Sequence, residues 1–238
     1  MKKLLSDRSG RVLSGLFAVA CAVLGFAVSA AFAADPRMSS AELQSAIDDA
    51  PRGDAQSVTG SLNGHDYVDL GLSVKWATCN VCAEMPSDYG YYFAWGQTAI
   101  KSAYDEKNSK TDNKNIGDIA GKARYDAARV NWGDAWRMPT HAEMQELIDK
   151  CTWTWINQDG HNGYKVTSKI NGNHIFLPAA GSRIWSSFYN AGEVGYYWCS
   201  TPCKDFKRLS YCLYFGSSFY KMNSYSRNYG LNVRPVLE

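Results

Sequence analysis

The stretch Asn131–Trp155, NWGDAWRMPTHAEMQELIDKCTWTW, constrains the fold more than any other part of the chain. Thr140 and Glu143 have the spacing of a capping box, in which a threonine hydroxyl and a glutamate three residues later satisfy backbone N–H groups reciprocally. This pattern predicts a helix that begins just after Thr140. The apolar residues that follow at helical spacing are Met144, Leu147 and Ile148. They share one face, which should pack on a core.

Four tryptophans flank the predicted helix and need a common core. They are Trp132, Trp136, Trp153 and Trp155. Indoles bury large apolar areas, and each buried ring N–H needs an acceptor. We therefore interpret Asn131–Trp155 as the structural centre of the chain, and the residues from Ser182 onward as its working surface.

The first 34 residues have the parts of a secretory signal. Basic residues come first, Val12–Val28 is apolar, and Ala31-Phe32-Ala33 matches a cleavage site. Cleavage would change the formal net charge from +2 to about −1, so we expect no nucleic-acid partner. The alternative is an uncleaved anchor, because the apolar run approaches the roughly 20 residues that span a bilayer. That anchor is the only predicted contact with a membrane, and we expect a secreted or cell-surface protein.

Residues 35–60 are predicted to form a short helix and a linker. Ser39–Ala50 has a second capping box and ends before Pro51, which cannot continue a helix. Arg52–Gly60 is polar and flexible in composition. Its Arg52-Gly53-Asp54 triplet matches an integrin ligand, although a solvated linker is the favoured interpretation.

The domain of residues 61–238 alternates between strand and turn signals. Gly64–Val81 predicts strands joined by a tight turn at Gly71, and Tyr89–Trp95 predicts another strand. The polar stretch Lys101–Arg129 predicts a surface loop with a helical turn at Tyr125–Val130.

The second half of the domain carries clearer strand signals. Asn171-Gly172 predicts a hairpin between strands at Gly163–Val166 and His174–Leu177. A final strand at Asn232–Val236 should pair with the opening strand near Val68–Val74.

From Ser182 onward the composition changes to that of a recognition surface. Eight of the 15 tyrosines lie here, among serine, asparagine and glycine. Leu213 and Phe215 alternate with Cys212 and Tyr214. If the apolar pair faces the core, the period of two in a strand predicts that Cys212 and Tyr214 point outward.

A family resemblance is carried by eight blocks in order: VDLGLSVKWATCNV, DYGYYFAWGQT, WGDAWRMPT, CTWTW, NGYKVT, IFLPAAG, GYYW and VRPV. Through them Gly64–Glu238 resembles the Fibrobacter succinogenes major paralogous domain, which is common in secreted and surface proteins of gut Bacteroidetes. That family is similar to C-type-lectin-like and formylglycine-generating-enzyme-like domains. The resemblance implies a fold of the α+β class, a C-type-lectin-like mixed fold with paired N- and C-terminal strands and a loop-rich binding face.

Some relatives with this ending are variable proteins of diversity-generating retroelements, in which template adenines are randomised. The Tyr, Ser, Phe and Cys content of residues 182–231 fits such diversification. Ordinary divergence of a binding face is the alternative, because Trp185, Lys204, Lys207, Lys221 and Met222 are not reachable from randomised asparagine codons.

Six cysteines remain after cleavage: Cys79, Cys82, Cys151, Cys199, Cys203 and Cys212. An even number in an exported protein favours disulfides. We expect Cys79 to pair with Cys151, two positions that the resembled family also carries. A tetrathiolate zinc site is the alternative for Cys79, Cys82, Cys199 and Cys203.

The chemical motifs of related activities do not occur here. Cys199 and Cys203 stand in WCSTPC, which differs from the cysteine motif of formylglycine-generating enzymes, and the four histidines are scattered. The Glu-Pro-Asn motif of calcium-dependent lectins is missing. We therefore expect no catalytic residue, no metal and no cofactor.

The sequence thus predicts an exported, non-catalytic recognition protein that presents an aromatic, Ser- and Asn-rich face to an extracellular protein or glycan. Its predicted contact residues are Trp185, Phe188, Phe206, Arg208, Tyr214, Phe219, Lys221 and Tyr225. The alternatives are an enzyme related to formylglycine-generating enzymes and a structural adhesion component of the cell surface.

Overall fold

The computed structural model describes Ser39, residues 57–133 and residues 135–238. The predicted signal, most of the predicted Ser39–Ala50 helix and the Arg52-Gly53-Asp54 triplet lie outside the described residues. Within them the chain has a mixed α+β fold that is mostly antiparallel sheet with two helices. No helix in this described part is long and apolar enough to cross a membrane.

The two helices and one short strand form the centre predicted from Asn131–Trp155. They are α1 (Ala127–Trp132), β4 (Trp136–Arg137) and α2 (His141–Lys150). The predicted capping box is confirmed: the Glu143 N–H donates to the Thr140 hydroxyl, and the Thr140 N–H donates to the Glu143 carboxylate at 2.8 Å. Met144 and Leu147 are buried, so the apolar face of α2 packs on the core as expected.

The tryptophans around α2 are core residues, as predicted. Trp136 and Trp198 are fully buried, and their ring N–H groups donate to the carbonyls of Leu62 and Phe93. Trp153 is also buried, but its ring N–H has no partner among the described residues. The expectation of an acceptor for every indole therefore fails at Trp153.

The first and last strands of the domain lie in one five-stranded sheet. In spatial order its strands are β1 (Gly60–Leu62), β2 (His65–Val68), β3 (Lys75–Ala77), β13 (Val236–Leu237) and β4. Val236 lies opposite Trp76 on one side and Arg137 on the other. The predicted pairing of the final strand with the opening of the domain is confirmed, although the partner is Lys75–Ala77 and not Val68–Val74.

Arg234 is fully buried beside this sheet and joins distant segments. Its guanidinium donates to the carbonyls of Ala77, Thr78 and Phe176, and to Oδ1 of Asn80. Burial lowers the pKa of Arg234, and the surrounding oxygens replace the hydration that the charge loses.

A second sheet follows α2 and contains the predicted hairpin. Its strands are β5 (Cys151–Gln158), β6 (His161–Ser168) and β7 (His174–Pro178). The Asn171-Gly172 signal is confirmed, since it lies in the turn between β6 and β7. Gly172 has a φ of 79°, a left-handed conformation that glycine adopts without steric cost.

The third sheet has the strands β10 (Val194–Pro202), β11 (Leu209–Gly216) and β12 (Phe219–Ser226), and β8 (Ser182–Ile184) and β9 (Ser187–Tyr189) precede it as a separate hairpin. In this sheet, strands β10 and β11 have buried residues on both faces, whereas β12 is half-buried to exposed. Leu213 and Phe215 pack in one core cluster, as predicted. Cys212 is also fully buried, in a second cluster with Trp198 on the opposite face. The prediction that Cys212 points to solvent is therefore wrong, because a period of two identifies the faces but not whether both are covered.

Two further expectations are corrected. Tyr89–Trp95 forms no strand, and only Phe93 makes an isolated bridge, to Leu231. Lys101–Arg129 contains the start of α1 at Ala127, yet it is not purely a surface loop because Tyr104 is fully buried.

Candidate recognition face

The β8–β9 hairpin presents its turn residue, Trp185, in a strained backbone conformation. Ile184 pairs with Ser187, so Trp185 and Ser186 form a two-residue turn. Trp185 has a φ of 54°, in the left-handed region. This conformation costs an L residue roughly 1–2 kcal/mol, so the surrounding structure must hold it.

Tyr104 holds the Trp185 turn in place. The Tyr104 N–H donates to the Trp185 carbonyl at 2.8 Å, and the Trp185 N–H donates back at 2.9 Å. The Tyr104 side chain is buried, and its hydroxyl donates to the Tyr92 carbonyl at 2.5 Å. An anchor in the core therefore fixes an exposed turn.

Arg183 fills the space between Tyr104 and the hairpin. Its guanidinium carbon lies 5.1 Å from the centre of the Tyr104 ring and 4.7 Å from that of the Phe188 ring, within cation–π range. The guanidinium also donates to the carbonyls of Lys101, Ser102 and Ser186. These contacts orient Phe188 without burying it.

Three predicted contact residues are largely exposed. Trp185 and Phe188 are each 59% exposed, and Phe206 is 61% exposed. Tyr189 of β9 is exposed as well. Single exposed apolar residues are ordinary, whereas two large aromatic residues, Trp185 and Phe188, are exposed on one short hairpin, as is typical of interaction sites. Tyr189 follows Phe188 in the same strand and therefore points to the opposite face.

The loop between β10 and β11 carries Phe206 and Arg208. The Arg208 guanidinium lies 3.3 Å from the Glu106 carboxylate and 3.7 Å from that of Asp112. Because Tyr104 belongs to the same segment, residues 104–112 contact both the hairpin and this loop. The two exposed aromatic elements are therefore supported by one stretch of chain.

The other predicted contacts lie together on the β11–β12 sheet. Register places Tyr214 opposite Lys221, and the Lys221 ammonium lies 6.0 Å from the centre of the Tyr214 ring. Phe219 packs against the same ring, with centroids 4.8 Å apart. Tyr225 lies 5.9 Å from it. The four residues form one cluster, in which Lys221 is exposed and the three aromatic rings are half-buried.

Tyr196 of β10 extends this cluster. Its ring stacks on Tyr214 at 5.1 Å and meets Tyr225 edge-on at 5.0 Å. Burial, together with the hydrogen bond between the two hydroxyls, raises the pKa of Tyr225, and burial also raises that of Tyr196. Both phenols are therefore neutral at physiological pH and serve as hydrogen-bonding, stacking groups.

The hairpin and the tyrosine cluster are neighbours. Arg183 and Gly230 exchange two backbone hydrogen bonds of 2.8 Å, and Tyr229 lies 6.4 Å from Tyr225. We call the eight predicted contact residues, together with Arg183, Tyr189 and Tyr196, the aromatic face.

Sequence reasoning missed Tyr104 and Arg183, which position the aromatic face. Tyr104 is one of two aromatic residues in the polar stretch Lys101–Arg129, and that isolation was the available signal. Arg183 had no signal, because its contacts depend on a segment about eighty residues earlier in the chain.

The predicted disulfide is not present. The six described cysteines are free thiols. Cys79 packs beside the cluster of Trp132 and Trp136, whereas Cys151 belongs to the main core, so the two sulfurs occupy different clusters. Burial raises the pKa of Cys151 to about 11 and that of Cys199 well above its usual value.

No group of described His, Cys, Asp or Glu side chains has the arrangement of a metal site. The chain matches no protein-family model, and neither a curated protein nor a solved structure is significantly similar to it.

Proposed function

We propose that this chain is an exported, non-catalytic recognition protein of the C-type-lectin-like class. Its aromatic face binds an extracellular protein or a glycan. The carrying observation is the Trp185 turn: a strained backbone is held by Tyr104 so that Trp185 and Phe188 remain in solvent. Strain maintained at an exposed aromatic turn is characteristic of a site kept for binding.

The chemistry of the face supports recognition of polar surfaces and sugar rings. Trp185 and Phe188 supply broad apolar area with few rotatable bonds, whereas Arg208 and Lys221 supply charged donors. Because Arg183 already orients Phe188, little conformational entropy is lost on binding.

The family and fold parts of the proposal are supported by the order of the eight sequence blocks and by the strand pairing of Val236 with Trp76. Diversification of residues 182–231 is a further part. It predicts a near-copy of the coding sequence for this segment, beside a reverse transcriptase gene and differing at adenines. If the genomic neighbourhood contains no such copy, ordinary divergence of the binding face is the remaining explanation of this segment.

A thiol enzyme of the formylglycine-generating type is the competing function, and the cysteine environments argue against it. Reactive cysteines need a lowered pKa and exposure, whereas Cys199, one of the two cysteines in WCSTPC, is fully buried and burial raises its pKa. The third possibility, a structural adhesion component, differs in requiring a retained N-terminal anchor. Intact mass of the mature protein distinguishes it, because a cleaved chain begins near Asp35.

The direct test is a ligand search with the full-length protein, purified after the producing cell has exported it. The labelled protein is applied to a printed glycan array and to an array of purified extracellular protein domains. We expect saturable binding that Trp185→Ala with Phe188→Ala abolishes. The matched control changes two exposed apolar residues away from the face, Val130→Ala and Ile170→Ala. Equal loss of binding in both double variants would overturn the proposal.

A further inference from the structure

A second, chemically different site lies beside the aromatic face. A pocket of about 750 Å³ opens between the turn at residues 96–101 and the loop at residues 108–125. This volume is within the range of about 300–1,000 Å³ that is typical of small-molecule sites. The charged residues in its lining are all cationic: Lys101, Lys110, Lys114 and Arg124.

The positive charges of the pocket are only partly neutralised. No carboxylate is among the described lining residues, and two carboxylates of the same stretch of chain have other partners: Asp105 accepts from the Asn108 backbone and amide, and Asp112 lies 3.7 Å from Arg208. The Lys101 ammonium donates to Asn108, a neutral residue, at 2.6 Å. Four cations converge on one cavity, which therefore favours an anion.

An independent observation is that a buried hydrogen-bond donor at the pocket has no acceptor in the described part of the chain. Gln97 lines the cavity and is only 6% exposed, yet its amide nitrogen Nε2 has no hydrogen-bond partner among the described residues. An unsatisfied buried donor costs about 1–3 kcal/mol, so such groups are rare without a reason. Because Nε2 is itself closed to solvent, an oxyanion in the pocket would supply its missing acceptor once the Gln97 amide turns toward the cavity.

The walls of the pocket are fixed by buried contacts. Arg227 lies over the Trp95 ring at 4.2 Å and donates to the carbonyls of Thr111 and Lys114. The Thr111 hydroxyl donates to the Trp95 carbonyl at 2.5 Å. Gly96 has a φ of 68°, and an added Cβ would meet Thr111 at 2.8 Å, so the two walls need glycine to approach this closely.

The lining is not purely ionic. Tyr125 offers a ring, Ile100 and Ile116 offer apolar surface, and Thr98 offers a hydroxyl. A bare inorganic ion would leave most of this volume and surface unused. A saccharide ring has the apolar face and the hydroxyl groups that these residues match, and an acidic substituent matches the lysines.

We propose that this pocket binds an acidic saccharide whose carboxylate or sulfate oxygens contact Lys101, Lys110, Lys114, Arg124 and the Gln97 amide. The site does not depend on the aromatic face, and either site can be correct without the other.

The test is calorimetric titration of the full-length protein with three probes at low ionic strength. They are trigalacturonate, its uncharged methyl ester and a sulfated galactan trisaccharide. We expect the protein to bind trigalacturonate, the sulfated sugar or both, to ignore the ester and to bind more weakly at higher salt. The trisaccharide that binds more tightly identifies the source of the oxyanion. Absence of binding by both acidic sugars, or equal binding of the ester, would overturn the proposal.

Variants assign the binding to the pocket. Lys110→Gln with Lys114→Gln should weaken binding about tenfold to 100-fold, because each of the two hydrogen bonds contributes roughly threefold to tenfold and the two factors multiply. Lys107→Gln removes an exposed charge from the same loop but outside the lining, and should leave affinity unchanged. Gln97→Met should weaken binding without lowering stability, since it removes an unsatisfied donor. If Lys107→Gln loses as much affinity as the double lysine variant, the binding reflects the overall positive charge of this region, and the proposed site is refuted.

Discussion

Tyr104 and Trp185 exchange both of their backbone hydrogen bonds, although about eighty residues separate them in the chain. One partner is fully buried and the other is the exposed turn of a hairpin. The pair joins the core to the aromatic face, and it explains how an unfavourable backbone conformation persists at Trp185.

The strain at Trp185 predicts an unusual order of stabilities. Trp185→Gly should have a free energy of unfolding about 1 kcal/mol higher than Trp185→Ala, because glycine adopts a positive φ without steric cost. Urea denaturation measures both. At Ser187, a strand residue outside the left-handed region, the order should reverse, with the glycine variant less stable than the alanine variant. If Trp185→Ala is at least as stable as Trp185→Gly, as expected at Ser187, then Trp185 is not strained.

The contact between Arg183 and Phe188 predicts energetic coupling. A double-mutant cycle with Arg183→Met and Phe188→Ala should give a coupling free energy of about 0.5–1 kcal/mol from the cation–π contact. Denaturation of the four proteins measures it. A second cycle combines Arg183→Met with Phe206→Ala. Because Phe206 has no described contact with Arg183, this cycle should give no coupling. Coupling near zero in the first cycle would show that Arg183 does not orient Phe188.

The buried thiol of Cys151 should make the folded protein less stable as the pH rises into the alkaline range. Burial raises the pKa of its thiol from 9.0 to about 11, so the unfolded state releases its proton first as the pH rises. The stabilisation is complete below pH 9 and decreases through pH 11, by about 1.4 kcal/mol per pH unit. Denaturation between pH 8 and pH 11 should therefore show a steeper decline for the wild-type protein than for Cys151→Ala. Parallel profiles would contradict a buried free thiol.

The ion pair between Glu143 and Arg137 should make the folded protein less stable as the pH falls into the acid range. Burial alone would raise its pKa, but the hydrogen bonds and charge of Arg137, at 2.7 Å, outweigh burial and lower it. The stabilisation is present above the ordinary glutamate pKa and is lost as the pH falls through the lowered value. Glu143→Gln should destabilise the protein at pH 7 and flatten its stability profile between pH 6 and pH 3. A variant profile as steep as that of the wild type would exclude this ion pair as the cause.

The parts of the fold set by local chemistry were readable in the sequence. The Thr140–Glu143 box and the Asn171-Gly172 turn depend on residues within a few positions of each other, and both form as predicted. The exposure of Trp185, Phe188 and Phe206 also followed from composition and position.

The wrong predictions concern residues whose burial or pairing depends on segments that are distant in the sequence. Cys212 is buried because a second cluster covers the face of β11 that the alternation pattern assigned to solvent. Tyr89–Trp95 resembled a strand because it is rich in aromatic residues. In the structure Trp95 is held by its ring N–H, which donates to the Cys199 carbonyl, and by Arg227, and not by a strand ladder. The support of the Trp185 turn by Tyr104 requires a pairing that no local pattern encodes.

The central claim is that the exposed residues of the aromatic face, Trp185, Phe188 and Phe206, are not needed for the folding core and serve binding. The most direct measurement compares stability and ligand binding for the triple variant Trp185→Ala, Phe188→Ala and Phe206→Ala. The control triple variant is Tyr91→Ala, Val130→Ala and Ile170→Ala, at exposed sites elsewhere. We predict that the first variant keeps a wild-type melting temperature within a few degrees and loses binding to the array ligand, whereas the control keeps both. Unfolding of the first variant, or its undiminished binding, would contradict the account.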